Sequence, residues 1–148
     1  MSRVKAKHPE RVAAGEAAMG APIEAFFLFA GTETYTARAI RAHELARDAI
    51  KAAAPHVPVG MTMSIQECEA DDTDTARAAL AAYKQRVYAP YYEAAKRDDF
   101  LGVQTYSRMR FGPDGKYTRR PPPGVELTQM GYEYRPEALG VACRDAWA

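Results

Sequence analysis

A chain of 148 residues is one domain's worth, long enough to enclose a hydrophobic core. Its 20 Lys and Arg nearly balance 19 Asp and Glu, which removes the electrostatic case for nucleic acid or an anionic membrane surface as a partner. Cys68 and Cys143 form no C-x-x-C pair and His8, His43 and His56 have no ligand spacing, so neither a disulfide framework nor a zinc site is indicated, no metal or organic cofactor is expected, and a reducing, cytoplasmic setting fits.

The first twenty residues are rich in Ala, Lys and Arg with a weak apolar face, as in a frayed helix or a loose tail, and residues 1–25 are set apart as a weakly structured or helical segment. Ala25-Phe26-Phe27-Leu28-Phe29-Ala30 is apolar but far short of the roughly 20 residues that cross a bilayer, and it is too short and too far from the basic start for a secretory signal. Thr32 or Thr34 can cap a helix that runs to Ala53, with Ile40, Leu45, Ala49 and Ile50 as its apolar stripe and Arg38, Arg41, Glu44, Arg47, Asp48 and Lys51 as solvated positions. Pro55 ends it.

Val57 to Ile65 is short, apolar and β-branched, which predicts a buried strand. The acidic stretch Glu67 to Asp74 reads as a polar loop whose Asp72, Thr73 or Asp74 caps the next helix. Leu80, Tyr83, Val87 and Tyr91 give that helix its face, and Pro90 predicts a kink or a new short helix running to about Lys96. Phe100 to Tyr106 is a second strand. Gly112-Pro113-Asp114-Gly115 predicts a small hairpin, Arg119 to Gly124 an extended loop, and Pro136 opens a last helix, Glu137 to Trp147.

Two strands joined by a helical crossover must run parallel with a right-handed connection. A two-stranded parallel sheet has two open edges, so the pattern reads as a slice of a larger α/β protein.

Four segments point to a family. Gly60-Met61-Thr62-Met63-Ser64 resembles the Gly-Ile-Thr-Leu-Asn strand of glycoside hydrolase family 1, the β-glucosidase group. Asp99 to Ser107 is similar to its Asp-Phe-(Ile/Leu)-Gly-(Val/Leu)-Asn-Tyr-Tyr-(Ser/Thr) strand, and Thr128 to Leu139 to its Thr-Asp-Met-Gly-Trp-Glu-(Ile/Val)-Tyr-Pro-Glu-Gly-Leu segment. Arg41 to Arg47 is similar to the helix that precedes the first of these strands. The matches follow the family's order and spacing over about Phe26 to Trp147.

The resemblance implies that residues 26–148 are a fragment of a (β/α)8 TIM barrel, from about its fourth helix to its sixth, with about two parallel strands and flanking helices. It also implies retaining hydrolysis of β-glucosides or related sugars by two glutamates about 5–5.5 Å apart. The family carries these in Asn-Glu-Pro and Thr-Glu-Asn-Gly motifs, and neither occurs in this sequence. The expectation is therefore a glycosidase fragment of carbohydrate metabolism with no catalytic residue of its own, inactive alone. The alternative is a non-catalytic α/β module for binding or fragment complementation. The expected partners are a β-glycoside in the full-length parent and, through open sheet edges, another copy of the chain.

Three residues are the candidates for substrate binding or nucleophile support. Tyr106 matches the family tyrosine that hydrogen-bonds the nucleophile; the competing reading is an aromatic packed at a strand end. Gln104 falls on the family's substrate-side Asn, with an amide one carbon–carbon bond longer. Gln66, with Glu67 and Glu69, either faces a substrate mouth or belongs to a solvated acidic loop. A calcium loop is excluded by spacing. His43 reads as a packing or surface residue, Cys68 as an inert thiol, and Tyr83, Tyr88, Tyr91 and Tyr92 as core rather than a sugar-stacking platform.

Overall fold

The computed structural model describes residues 6–25 and 33–147. Most of the apolar Ala25–Ala30 stretch, and Thr32 as a cap, lie outside the described residues. The chain divides into two units, Met1–His43 and Glu44–Ala148. The first holds α1 (Pro9–Met19), closed by Gly20 in the left-handed region, and a 3-10 turn over Ile23–Ala25 whose first N–H donates to Glu16 Oε1 at 2.8 Å. Helix α2 (Glu33–Ala53) begins in this unit and ends in the second.

The second unit continues with β1 (Gly60–Ser64), β2 (Glu67–Ala70), α3 (Asp74–Val87), α4 (Ala89–Ala95), β3 (Phe100–Gln104), β4 (Arg108–Phe111), β5 (Tyr117–Thr118) and α5 (Ala138–Trp147). β1 pairs with β3 in parallel, as the helical crossover requires. Gly60 permits the approach: a Cβ there would lie 2.0 Å from the Phe100 carbonyl oxygen. β2 pairs in parallel with β4, and β5 returns antiparallel to β4 across the Gly112–Gly115 turn. Gly115 takes a φ of 74°, open to glycine at no steric cost.

Local chemistry sets the helix boundaries. Thr73 caps α3 by accepting the Ala76 N–H at 3.2 Å. Pro90 lies in the first turn of α4 and divides it from α3 at Tyr88.

The core gathers Ile65, Ala76, Tyr83, Tyr88, Met109, Phe111 and Ala142. Tyr83 meets the rings of Tyr88 and Phe111 edge-on, each at 5.6 Å between centroids. The expected role of Tyr83 and Tyr88 in packing is met; Tyr91 and Tyr92 are half-buried.

Three sequence expectations fail. The buried strand expected over Val57 to Ile65 is the shorter β1, Gly60–Ser64, whose residues are half-buried or exposed. The acidic stretch is not all solvated loop: Glu67–Ala70 forms β2, and Glu67 is only 5% exposed, neutralised by Arg108 on β4 and by Arg135. The α2 stripe is not buried either. Leu45 and Ile50 are exposed, whereas Arg47, taken as solvated, is 3% exposed. Its guanidinium reaches Asp98 at 3.0 Å, whose other oxygen accepts the Met61 N–H at 3.2 Å.

Candidate functional site

The two parallel ladders are one continuous pair of strands with a slip of register. Partners lie 40 positions apart from Gly60–Phe100 to Ser64–Gln104, but 41 apart from Glu67–Arg108 to Ala70–Phe111. Between them Thr105, Tyr106 and Ser107 stand opposite only Ile65 and Gln66, which is a bulge of one residue. The Ile65 N–H still donates to the Gln104 carbonyl at 2.8 Å, so the first ladder persists to its edge.

The Gln66 side chain fills the interruption. Its Oε1 accepts from the Tyr106 N–H at 3.2 Å, the Ser107 N–H at 2.7 Å and the Ser107 hydroxyl at 3.1 Å, while Nε2 donates to Ser64 Oγ at 2.9 Å. Backbone N–H groups only donate, so this orientation of the amide is dictated by its partners. Gln66 is 6% exposed, and its own N–H donates to the Tyr88 hydroxyl at 3.1 Å. Burial pushes the Tyr88 phenol well above its ordinary range, keeping that acceptor neutral.

The slip sorts the side chains beyond it. Cys68 and Ala70 fall beside Met109 and Phe111 against the core, and Glu67 and Glu69 fall beside Arg108 and Arg110. In the first register Cys68 would face Arg108 and Glu69 would face Met109. The bulge thus matches charge to charge and apolar to apolar.

Glu67, Glu69 and Glu133 interleave with Arg108, Arg110 and Arg135. Arg110 holds Glu69 at 2.7 Å and Glu133 at 2.5 Å, Arg135 holds Glu67 at 2.5 Å, and Arg108 pairs with Glu69 and stands 3.6 Å from Glu133. Burial acts to raise the Glu133 carboxyl, but Arg110 first, then Arg108 and Arg135, outweigh it and hold it below its ordinary value. A carboxylate so held is a poor proton donor near neutrality. Arg108 Nε and Arg110 Nη1 are buried without a hydrogen bond among the described residues, the former 3.5 Å from Glu67 Oε1.

Of the three sequence-derived candidates, Gln66 lies beneath the bulge while Tyr106 and Gln104 lie at its open side. Tyr106 is 52% exposed and its hydroxyl donates to Gln104 Oε1. The structure therefore links all three, through the Tyr106 N–H on one side and its phenol on the other. A cleft of about 170 Å³ opens beside them, lined by Tyr106, Ser107, Arg108, Glu133, Tyr134 and Arg135 among others. That volume suits part of a ligand rather than a whole one.

The arginine–glutamate cluster is the feature sequence reasoning missed. Its signal was the spacing of two in Glu67/Glu69, Arg108/Arg110 and Glu133/Arg135, which places each pair on one face of an extended segment. No group of three or more His, Cys, Asp or Glu among the described residues is arranged to hold a metal ion. Cys68 and Cys143 are both free, and burial raises the Cys68 thiol above its ordinary value, as suits an inert position. No described helix is long and apolar enough to cross a membrane.

Fold and site together define an α/β unit of parallel strands with a polar, aromatic rim at the strand ends. Among the solved structures similar to the chain in fold are two β-glycosidases. The chain is similar to the β-glycosidase BGL167 at 34% identity and a TM-score of 0.79, over 93% of this chain and 33% of that one. It is similar to a β-glucosidase designated 1317 at 31% identity and a TM-score of 0.73, over 98% of this chain and 36% of that one. The β-glycosidase resemblance read from the four sequence segments is thereby shown, and the chain spans about a third of the length of these structures. Neither a protein-family model nor a curated protein matches the chain.

Proposed function

We propose that residues 26–148 are the central part of a glycoside hydrolase family 1 (β/α)8 barrel, whose parent hydrolyses β-glucosides or related sugars with retention of configuration. The observation that carries this reading is the likeness of nearly the whole chain to a third of two β-glycosidases. The acid/base and nucleophile glutamates belong to parts of the parent barrel other than this segment, since neither motif is in the sequence, and the arginine-bound Glu67 and Glu133 are not substitutes for them. The chain is accordingly inactive by itself.

Within the parent, Tyr106 supports the nucleophile carboxylate from the strand end, Gln104 borders the sugar, and Gln66 supports both from below. Two free cysteines accord with a cytoplasmic setting, and the family reading adds chemistry without a metal or organic cofactor. The edges of the β1–β3 pair, open among the described residues, and the exposed Leu45, Ile50 and Phe100 favour a second role for the isolated chain, association with another copy or with a complementary barrel fragment.

The test is hydrolysis of a chromogenic β-glucoside by the purified 148-residue chain. No turnover above the uncatalysed rate is expected. Turnover that survives repurification and is lost when Glu67 or Glu133 is changed to Gln would overturn the reading, because the catalytic pair would then lie within the chain.

A further inference from the structure

We propose that Gln66 is a positioning residue whose buried amide holds the one-residue bulge at Thr105–Ser107, and that the bulge aims Tyr106, with its hydroxyl on Gln104, out of the strand ends. The inference rests on the reading of Tyr106 as a group presented to the site, and it deepens that reading by naming what presents it.

Three observations converge. The register changes from 40 to 41 at this point and nowhere else along the paired strands, so one strand carries a residue the other does not match. The two backbone N–H groups at the mismatch, those of Tyr106 and Ser107, donate to the same Gln66 oxygen, and the Ser107 hydroxyl adds a third bond. Gln66 is itself immobilised by Ser64 at its nitrogen, by Tyr88 at its backbone and by burial. A side-chain carbonyl here does the work of a missing ladder carbonyl. Bulges in parallel pairs are rare, and they recur where a side chain must be re-aimed.

The length of the side chain matters. Asn would fall one carbon short of Tyr106 and Ser107, and Met would fill the space without accepting. Glu would keep the acceptor for all three donors, and the Ser64 hydroxyl would donate to its second oxygen in place of accepting from the amide. Gln66→Met and Gln66→Glu therefore separate packing from hydrogen bonding.

The experiment is amide hydrogen exchange on the 148-residue chain, with the ring signals of Tyr106 followed by NMR in the same samples. In the unaltered protein the Tyr106 and Ser107 amides exchange at least about ten-fold more slowly than in an unstructured peptide. In Gln66→Met both accelerate by about ten-fold, while Ile65, in the adjacent ladder, holds its rate. The Tyr106 ring signals move toward those of a freely rotating tyrosine, and Gln66→Glu restores both readouts. Peptide-like exchange at Tyr106 and Ser107 in the unaltered chain would overturn the proposal even if the Met variant does not fold. Unchanged Tyr106 ring signals in a folded Gln66→Met chain would overturn it as well. Because neither readout needs turnover, failure here is distinct from failure of the glycosidase reading.

Discussion

Helices α2 and α3 are both amphipathic, yet they are held by opposite means. α3 contributes Ala76 and Tyr83 to a core with Ile65, Met109 and Phe111. The part of α2 in the same unit turns Leu45 and Ile50 to solvent, at 53% and 42% exposure, and is held by ion pairs from Arg47 to Asp98 and from Lys51 to Asp99. An apolar stripe shows that a helix face has a partner; it does not show that the partner lies in the same chain. In the proposed parent, neighbouring barrel elements are expected to cover the α2 face.

Six substitutions, compared in four steps, sharpen or break this contrast. The largest effect is expected from Phe111→Ala, which opens a cavity in the core that α3 covers and lowers stability by about 3–5 kcal/mol in denaturant unfolding. Leu45→Ala should change the same measurement by less than about 0.5 kcal/mol. Comparable losses from the two in the dilute, monomeric chain would mean that the α2 face is covered within the chain.

Arg47→Met comes next. It removes the Arg47 guanidinium from Asp98, whose side chain is fully buried. The unfolding midpoint should fall further than in Lys51→Ala, whose Asp99 partner is half-exposed. The reverse order would show that the Arg47 contact is incidental.

The arginine–glutamate cluster gives a pH signature. The Glu133 carboxyl is lowered from 4.5 in the folded chain, so the stability it contributes is present above that ordinary value and is lost as pH falls through the depressed one. The gap in thermal midpoint between the unaltered chain and Glu133→Gln should be widest near neutrality and close in acid. A gap that widens on acidification would mean that Glu133 is held protonated.

Tyr92→Phe comes last, and its effect is expected to carry the opposite sign to the core truncation. The Tyr92 hydroxyl is buried without a hydrogen bond among the described residues, and burial raises its phenol far above the ordinary value. Removing it should leave stability unchanged or raise it by up to about 1 kcal/mol. A clear loss would reveal a bound water or a partner for that oxygen.

Features governed by neighbours in sequence were legible without a structure. Thr73 capped α3, Pro90 divided two helices, the Gly112–Gly115 turn gave a hairpin, and the helical crossover required parallel strands. Features that depend on distant residues were not. Glu67 and Glu69 read as solvated because their arginines lie some forty positions away on β4, and the register slip that brings them together exists only once two strands are laid side by side. Gln66 was singled out for its place after a strand; its bonds to Tyr106 and Ser107 could not be read from that place. Tyr106 and Gln104 were read from resemblance, and the structure adds the bond between them.

The central claim is that this chain supplies the frame of a β-glycosidase site and none of its cutting carboxylates. The most direct test replaces the matching third of BGL167 with residues 26–148 and measures hydrolysis of a chromogenic β-glucoside by the folded chimera. Hydrolysis that is lost on Tyr106→Phe or Gln66→Met is the predicted result. A folded chimera that binds no sugar and turns over no substrate would contradict the claim.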